Sequence, residues 1–203
     1  MFAVGHIALG HITGKVLGKA TGHNPSIPLL WTLSLLPDVD FLIPGIIHRG
    51  PTHSILLAIL LCAPFLIYKP RKAAPYFAAL FMHSLVGDFL TNGGVMLLWP
   101  LSSDMMKHDF LFKMGGTTES YIELALFAIL ILMLVASGDL KKLSSMENSN
   151  ILLFIPFFTI VIPALYKYPI RIPETLLIAH MILLGIMVLS ITLYLFQAFK
   201  DML

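Results

Sequence analysis

Long apolar runs alternate with short polar breaks along the whole chain. Apolar segments cover residues 1–20, 28–47, 55–68, 75–100, 121–137, 151–166 and 174–196. A helix needs ~20 mainly apolar residues to cross a bilayer, and several of these runs are shorter. The pattern predicts an all-α, polytopic helical bundle with about five or six transmembrane helices. It leaves open whether residues 1–20 cross. That first run is only weakly apolar and carries Gly5, Gly10, Gly14 and Gly18, a spacing that gives a helix one smooth face for close packing.

The second run is interrupted by Pro37 and Pro44 and carries Asp38 and Asp40 between them. Proline removes a backbone donor and breaks a helix. Broken backbone at membrane depth is tolerated only where it is buried in protein or lines a wet cavity. We therefore expect one broken helix at Pro37–Asp40 that serves a site. Immediately after it come His48, Arg49, Thr52, His53 and Ser54, and further on His83 and Asp88 within an apolar run. Ionisable residues inside membrane segments are costly and by default mark function. Carboxylates and imidazoles held together are the ligands of a hard or borderline divalent cation.

Composition sharpens this picture. The chain has 203 residues, 58% hydrophobic and 12% charged, with mean hydropathy +0.89; soluble domains run near ~45–50% apolar and ~25% charged. Residues 1–203 read as a single integral-membrane domain, in which 1–123 carries the polar motifs and 124–203 supplies supporting transmembrane helices. The net charge of +2 gives no reason to expect a nucleic-acid partner, and Cys62 is the only cysteine, so no intramolecular disulfide or thiolate cluster forms. No basic segment precedes the first apolar run, so a cleavable signal peptide is not expected. Lys69-Pro70-Arg71-Lys72 and Lys141-Lys142 place their loops in the cytoplasm by the positive-inside rule. Lys15, Lys19 and Lys200 then fall inside and the His48–His53 loop outside; Lys167 and Arg171 are the counter-signal. The predicted location is the cell membrane, multi-pass.

The motifs come in a recognisable order: Val4-Gly5-His6; Leu35-Leu36-Pro37-Asp38-Val39-Asp40; His48-Arg49-Gly50-Pro51-Thr52-His53-Ser54; then His83, Asp88-Phe89-Leu90-Thr91 and Gly94 to Pro100, after the turn-like Asn92-Gly93-Gly94. Together they resemble the YdjM-like family of inner-membrane proteins, read as metal-dependent hydrolases, over roughly residues 1–123. The family's activity is itself inferred, so the resemblance implies a hydrolase without naming a substrate. Carried over by position, its polar set falls on His6, Asp38, Asp40, His48, His53, His83 and Asp88, with Glu119 a weaker match. Phe41 stands where the family often has histidine, and His11 has no counterpart. His83 and Asp88 are five residues apart where the family has four. A π-bulge near Gly87 would absorb the extra residue and return both side chains to one face, and that bulge is the expectation here.

Each residue also has a plainer reading. Asp38 can cap a helix after Pro37. His48 and His53 can belong to an interfacial loop with a snorkelling Arg49. His83 and Asp88 can be a hydrogen-bonded staple, or a pair that fixes a metal-bound imidazole. Glu119 and Glu123 stand at a helix start, where acids favour the dipole. His6 and His11 are about 140° apart on a regular helix and cannot both face one ion. His180 reads as a packed polar residue, His23 and His108 as loop residues, and Asp109 and Lys113 fall in a polar loop. The function expected from the whole pattern is a membrane-embedded hydrolase using one or two zinc or manganese ions, acting on a phosphoester or other ester of a lipid or lipid-linked substrate that approaches from the bilayer. Asp40 or Asp88 would be the general base and Arg49 the anion-binding residue. A transporter or a metal-binding protein without chemistry is the rival from another class, and a scaffold stapled by His–Asp pairs is the third. The oligomeric state is open.

Overall fold

The computed structural model describes residues 1–91, 94–108, 116–165 and 172–202. The Asn92-Gly93 turn, Asp109, Lys113, Lys167 and Arg171 lie outside them. The described residues fold as helices: α1 (Ala3–Thr21), α2 (Ile27–Leu35), α3 (Ile55–Tyr68), α4 (Pro70–Met82), α5 (Thr117–Ala136), α6 (Asp139–Leu143), α7 (Phe154–Leu165) and α8 (Glu174–Met202). Among the described residues, four continuous helical stretches are long and apolar enough to cross a membrane: Pro70–Thr91, Thr117–Ala136, Asn148–Leu165 and Glu174–Met202, with Ile55–Tyr68 shorter. The protein is a polytopic helical bundle, with four such helices and one shorter apolar helix where five or six crossings were expected.

α1 runs through the middle of the bundle, packed by α2, α4, α5 and α8. This explains its weak hydropathy. Its neighbours are protein, so glycine and histidine replace the leucines that a lipid-facing helix would carry. Antiparallel to it lies α4, in close register. A side chain at Gly14 would meet Leu30 and the Pro75 carbonyl, one at Gly10 would meet Ser34 and Ala79, and His6 stacks on His83 at 3.7 Å between ring centroids. The amides at the start of α1 are satisfied from far away in sequence. The Glu123 carboxylate on α5 accepts from Phe2 N–H at 3.0 Å and Gly5 N–H at 3.1 Å. Such amides have no partner within their own helix.

At the opposite end of α1, Lys15 and Lys142 both pair with buried Asp139, at 2.6 and 2.7 Å. The α3–α4 hairpin turns on Lys69 alone, at this same end: Tyr76 near the start of α4 accepts a hydrogen bond from Ser26 N–H in the α1–α2 loop. Lys15, Lys69 and Lys142 therefore gather at one end of the bundle and the polar motifs at the other.

The run at 28–47 is not one long helix. α2 ends at Leu35, and at nine residues it is only about 13 Å long. Pro37 starts a separate 3₁₀ turn, Pro37–Leu42, that carries both aspartates. A second 3₁₀ turn, Pro51–His53, carries His53. Residues 95–99 clamp the intervening loop: Met96 N–H donates to the Arg49 carbonyl and Ile55 N–H to the Leu97 carbonyl, both at 3.0 Å. Ser54 then caps α3, its Oγ accepting from Leu57 N–H.

Candidate metal centre

After Met82 the α4 helix widens into a π-helical stretch, His83–Asp88. The extra residue in the His83–Asp88 spacing is absorbed there, as expected, and both side chains face the same interior point. Gly87 makes room for it, since a side chain there would run into the His6 ring.

Four buried atoms from three separate stretches of the sequence converge. His53 Nε2 lies 3.3 Å from Asp38 Oδ1 and 3.2 Å from Asp88 Oδ2. His83 Nε2 lies 3.4 and 3.3 Å from the same two oxygens. The two Nε2 atoms are 3.2 Å apart. Among the described residues the buried Asp88 Oδ2 has only these two imidazole nitrogens beside it, and a buried carboxylate oxygen is costly unless a proton or a cation compensates it. The group Asp38, His53, His83 and Asp88 can hold a metal ion.

The far side of each ligand is fixed. His83 Nδ1–H donates to the Ser34 carbonyl at 2.6 Å, which leaves Nε2 as the lone-pair nitrogen. His53 Nδ1 faces Thr52 Oγ1 at 3.1 Å and Asp40 Oδ2 at 3.4 Å. Such partners orient a metal-binding imidazole and raise its basicity. Asp88 Oδ1 accepts from Arg49 Nη2 at 2.6 Å and lies 3.5 Å from His6 Nε2. Electrostatics follow from this crowding. Burial disfavours a charged His53 imidazole, but the Asp38 and Asp88 carboxylates outweigh it and raise its pKa above the ordinary histidine value. Burial would also raise Asp38; His83 and His53 outweigh it and hold its carboxyl well below the usual carboxylate range.

Asp40 has a different task. Its Oδ2 accepts from Arg49 N–H at 3.1 Å and from Thr52 Oγ1 at 3.0 Å, and its Oδ1 from His48 Nδ1–H at 3.1 Å. Asp40, His48 and His53 form a second group able to hold an ion, sharing His53 with the first. The Asp40 oxygens, however, are already supplied with donors. Arg49 reaches its place through left-handed backbone, φ 63°, and its guanidinium is engaged with Asp88.

Every residue expected in the site lies in this one cluster, at different depths. His6 stacks behind His83 and faces Asp88 without joining the four-atom group. His11 is elsewhere, its Nδ1 accepting from Trp31 Nε1 at 3.3 Å. Glu119 Oε1 lies 3.4 Å from the Met1 amino nitrogen, which is itself 3.5 Å from Asp88 Oδ1. Glu123 is the α1 cap. His23 packs near Tyr76 and His108 near Phe89.

His180 is more than packing. A cavity of about 100 Å³ reaches the centre, lined by Asp38, His48 and Asp88 together with Phe2, Ile160 and His180. His180 Nδ1–H donates to the Leu176 carbonyl, leaving Nε2 as the acceptor. Nothing in the spacing of His180, alone in an apolar run, signalled that place. Thr52 and the Ser34 carbonyl were also missed; Thr52 sits inside the histidine motif, whereas a backbone carbonyl has no sequence signature.

The family described as YdjM inner membrane protein matches residues 1–199. No curated protein and no solved structure matches the chain. The chain belongs to the YdjM inner membrane protein family and is a multi-pass membrane protein.

Proposed function

We propose that this member of the YdjM inner membrane protein family is a metal-dependent hydrolase that cleaves a phosphoester or related ester of a lipid. The observation that carries the reading is the convergence of His53 Nε2, His83 Nε2, Asp38 Oδ1 and Asp88 Oδ2, with separations of 3.2–3.4 Å. Four ligands placed tetrahedrally on ~2.0–2.1 Å bonds stand about 3.3–3.4 Å apart, whereas octahedral neighbours on ~2.0–2.1 Å bonds stand about 2.9–3.0 Å apart. The five separations match the tetrahedral spacing, and two imidazoles with two carboxylates are a donor set that suits zinc. A divalent ion held there would supply Lewis acidity, and a fifth coordination position toward the cavity would take the water whose pKa it lowers.

The chain's own residues supply the rest. The carboxylates of Asp38 and Asp88 border the cavity, so a reacting group reaches the centre from their side. His48 lines the same cavity. Its Nδ1–H is given to Asp40, which leaves Nε2 to accept a proton from an attacking water; a base oriented by a third group is the recurring arrangement for such work. Asp40 is therefore a positioning residue for His48 and His53, and the base is His48. Arg49 balances the charge of Asp88 from behind, 2.6 Å from its Oδ1.

Cavity size supports a lipid-borne substrate. The cavity is small, about 100 Å³, which suits a compact group such as a phosphate rather than a whole lipid. The remainder of the substrate stays outside, where α7 and α8 present apolar side chains such as Leu165 and Ile178. The gathering of the polar residues in one pocket supports an enzyme over a transporter, which would string them along a path. The test is phosphate release from long-chain phosphatidic acid in mixed micelles by zinc-loaded protein, compared with a short-chain soluble phosphomonoester. Turnover of the lipid alone, abolished in His53→Ala, supports the reading; failure to turn over any lipid ester with the metal bound overturns it.

A further inference from the structure

The opposite end of the molecule holds a second feature, unconnected with the metal centre. α3 has no buried residue. It leans on α4 and stands away from α2, which leaves a groove of about 400 Å³ walled by apolar side chains including Leu33, Phe65, Phe77 and Leu80. Lys69 and Lys72 close one end of it. In a bilayer such a groove does not hold water, because the surface it exposes is apolar. An acyl chain fits it.

The lysines decide the headgroup. The cations at this end of the bundle are of two kinds. Lys15 and Lys142 are neutralised by Asp139. Lys69, Arg71 and Lys72 form no ion pair among the described residues. Lys69 Nζ instead sits 5.4 Å over the ring of Tyr68, at the turn of the hairpin. Un-neutralised cations at the mouth of an apolar groove between membrane helices complement a phosphate attached to hydrocarbon.

We infer that the α2–α3–α4 groove is a binding site for one anionic phospholipid, with its acyl chain along Leu33, Phe77 and Leu80 and its phosphate at Lys69 and Lys72. From Lys72 to Asp88 the helix spans about 24 Å, so the site is remote from the metal centre and stands or falls separately from the hydrolase reading. Its occupant holds α3, which has few protein contacts of its own, against the bundle.

The test is native mass spectrometry of detergent-purified protein titrated with dioleoyl phosphatidylglycerol or dioleoyl phosphatidylcholine. Cys62, the chain's single cysteine, lies in the groove wall, and its alkylation by N-ethylmaleimide reads occupancy in parallel. One phosphatidylglycerol should be retained about tenfold more tightly than phosphatidylcholine and should slow alkylation of Cys62. Lys69→Gln/Lys72→Gln should remove that preference. Lys19→Gln/Lys141→Gln, which removes the same charge nearby, should keep it. Metal content should be unchanged in both. Equal retention of the two lipids, equal loss in the two double variants, or closure of the groove by a second copy of the chain would overturn the proposal.

Discussion

The Nε2 atoms of His53 and His83 face each other 3.2 Å apart, although 30 residues separate them in sequence. Each ring has its Nδ1 turned to a partner on the far side, Ser34 O for His83 and Thr52 with Asp40 for His53. Two lone-pair nitrogens at that distance repel each other unless a proton or a metal cation is shared between them. The carboxylates of Asp38 and Asp88 complete the surroundings such a cation needs.

His48 and Asp40 should separate binding from chemistry. His48→Ala is expected to keep the metal and lose about 10²–10⁴-fold in turnover, the usual contribution of a general base. Asp40→Asn should weaken metal affinity about 10–100-fold, because it loosens His53. Metal affinity by competition with a chelator, measured beside turnover, checks both. Loss of the metal in His48→Ala would make that residue a ligand.

Gly87 should tolerate no side chain. A methyl group there enters the space of the His6 ring, which is stacked on His83. Gly87→Ala is therefore expected to lower Tm and metal affinity together, since His83 moves when His6 does. Gly185→Ala, where a side chain meets open space, is the control and should change neither.

Arg49 and a bound cation share the task of balancing Asp88. Breaking a buried pair by removing one partner costs about 3–5 kcal/mol. Arg49→Gln should lose most of that in metal-free protein and clearly less in metal-loaded protein. Thermal unfolding with and without chelator reads the difference; an equal loss in both states would separate Arg49 from the metal centre.

Asp139 sets a pH dependence at the basic end. Burial opposes its ionisation, but Lys142, Lys15 and Ser137 outweigh it and hold its pKa at about 2, below the usual 3.8. A depressed carboxylate stabilises the fold fully above its unfolded pKa, and that stability is lost as pH falls through the folded value. Asp139→Asn should thus lower Tm by roughly 5 °C at pH 5–8, with the gap from wild type closing between about pH 4 and pH 2. A gap that persists unchanged at pH 2 would contradict the ion-pair account.

Much of this was legible in the sequence because charge is rare in apolar runs. Asp38, Asp40, His48, His53, His83 and Asp88 stood out for that reason alone. The five-residue step from His83 to Asp88 was enough to foresee the π-helical stretch. The division of labour between Asp38 and Asp40 was not legible. It depends on a 3₁₀ turn that aims one carboxylate at the imidazoles and the other at the backbone of the next loop. Nor was the central position of α1, since low hydropathy looks the same whether a helix is wrapped in protein or lies outside a membrane. Glu123 appeared to be a residue favouring its own helix dipole and instead caps α1 from 118 to 121 residues away. His180 and the apolar wall of the cavity carry no signature, because a residue that shapes a space resembles one that fills it.

The central claim is a metal ion between His53 and His83, and elemental mass spectrometry of detergent-purified protein tests it most directly. Wild type should carry one equivalent of zinc per chain, and His53→Ala and Asp38→Asn should carry none while remaining folded. Wild-type protein without metal, taking up none on reconstitution, with both variants merely less stable, would contradict the account and leave a bundle stapled by histidine–aspartate pairs.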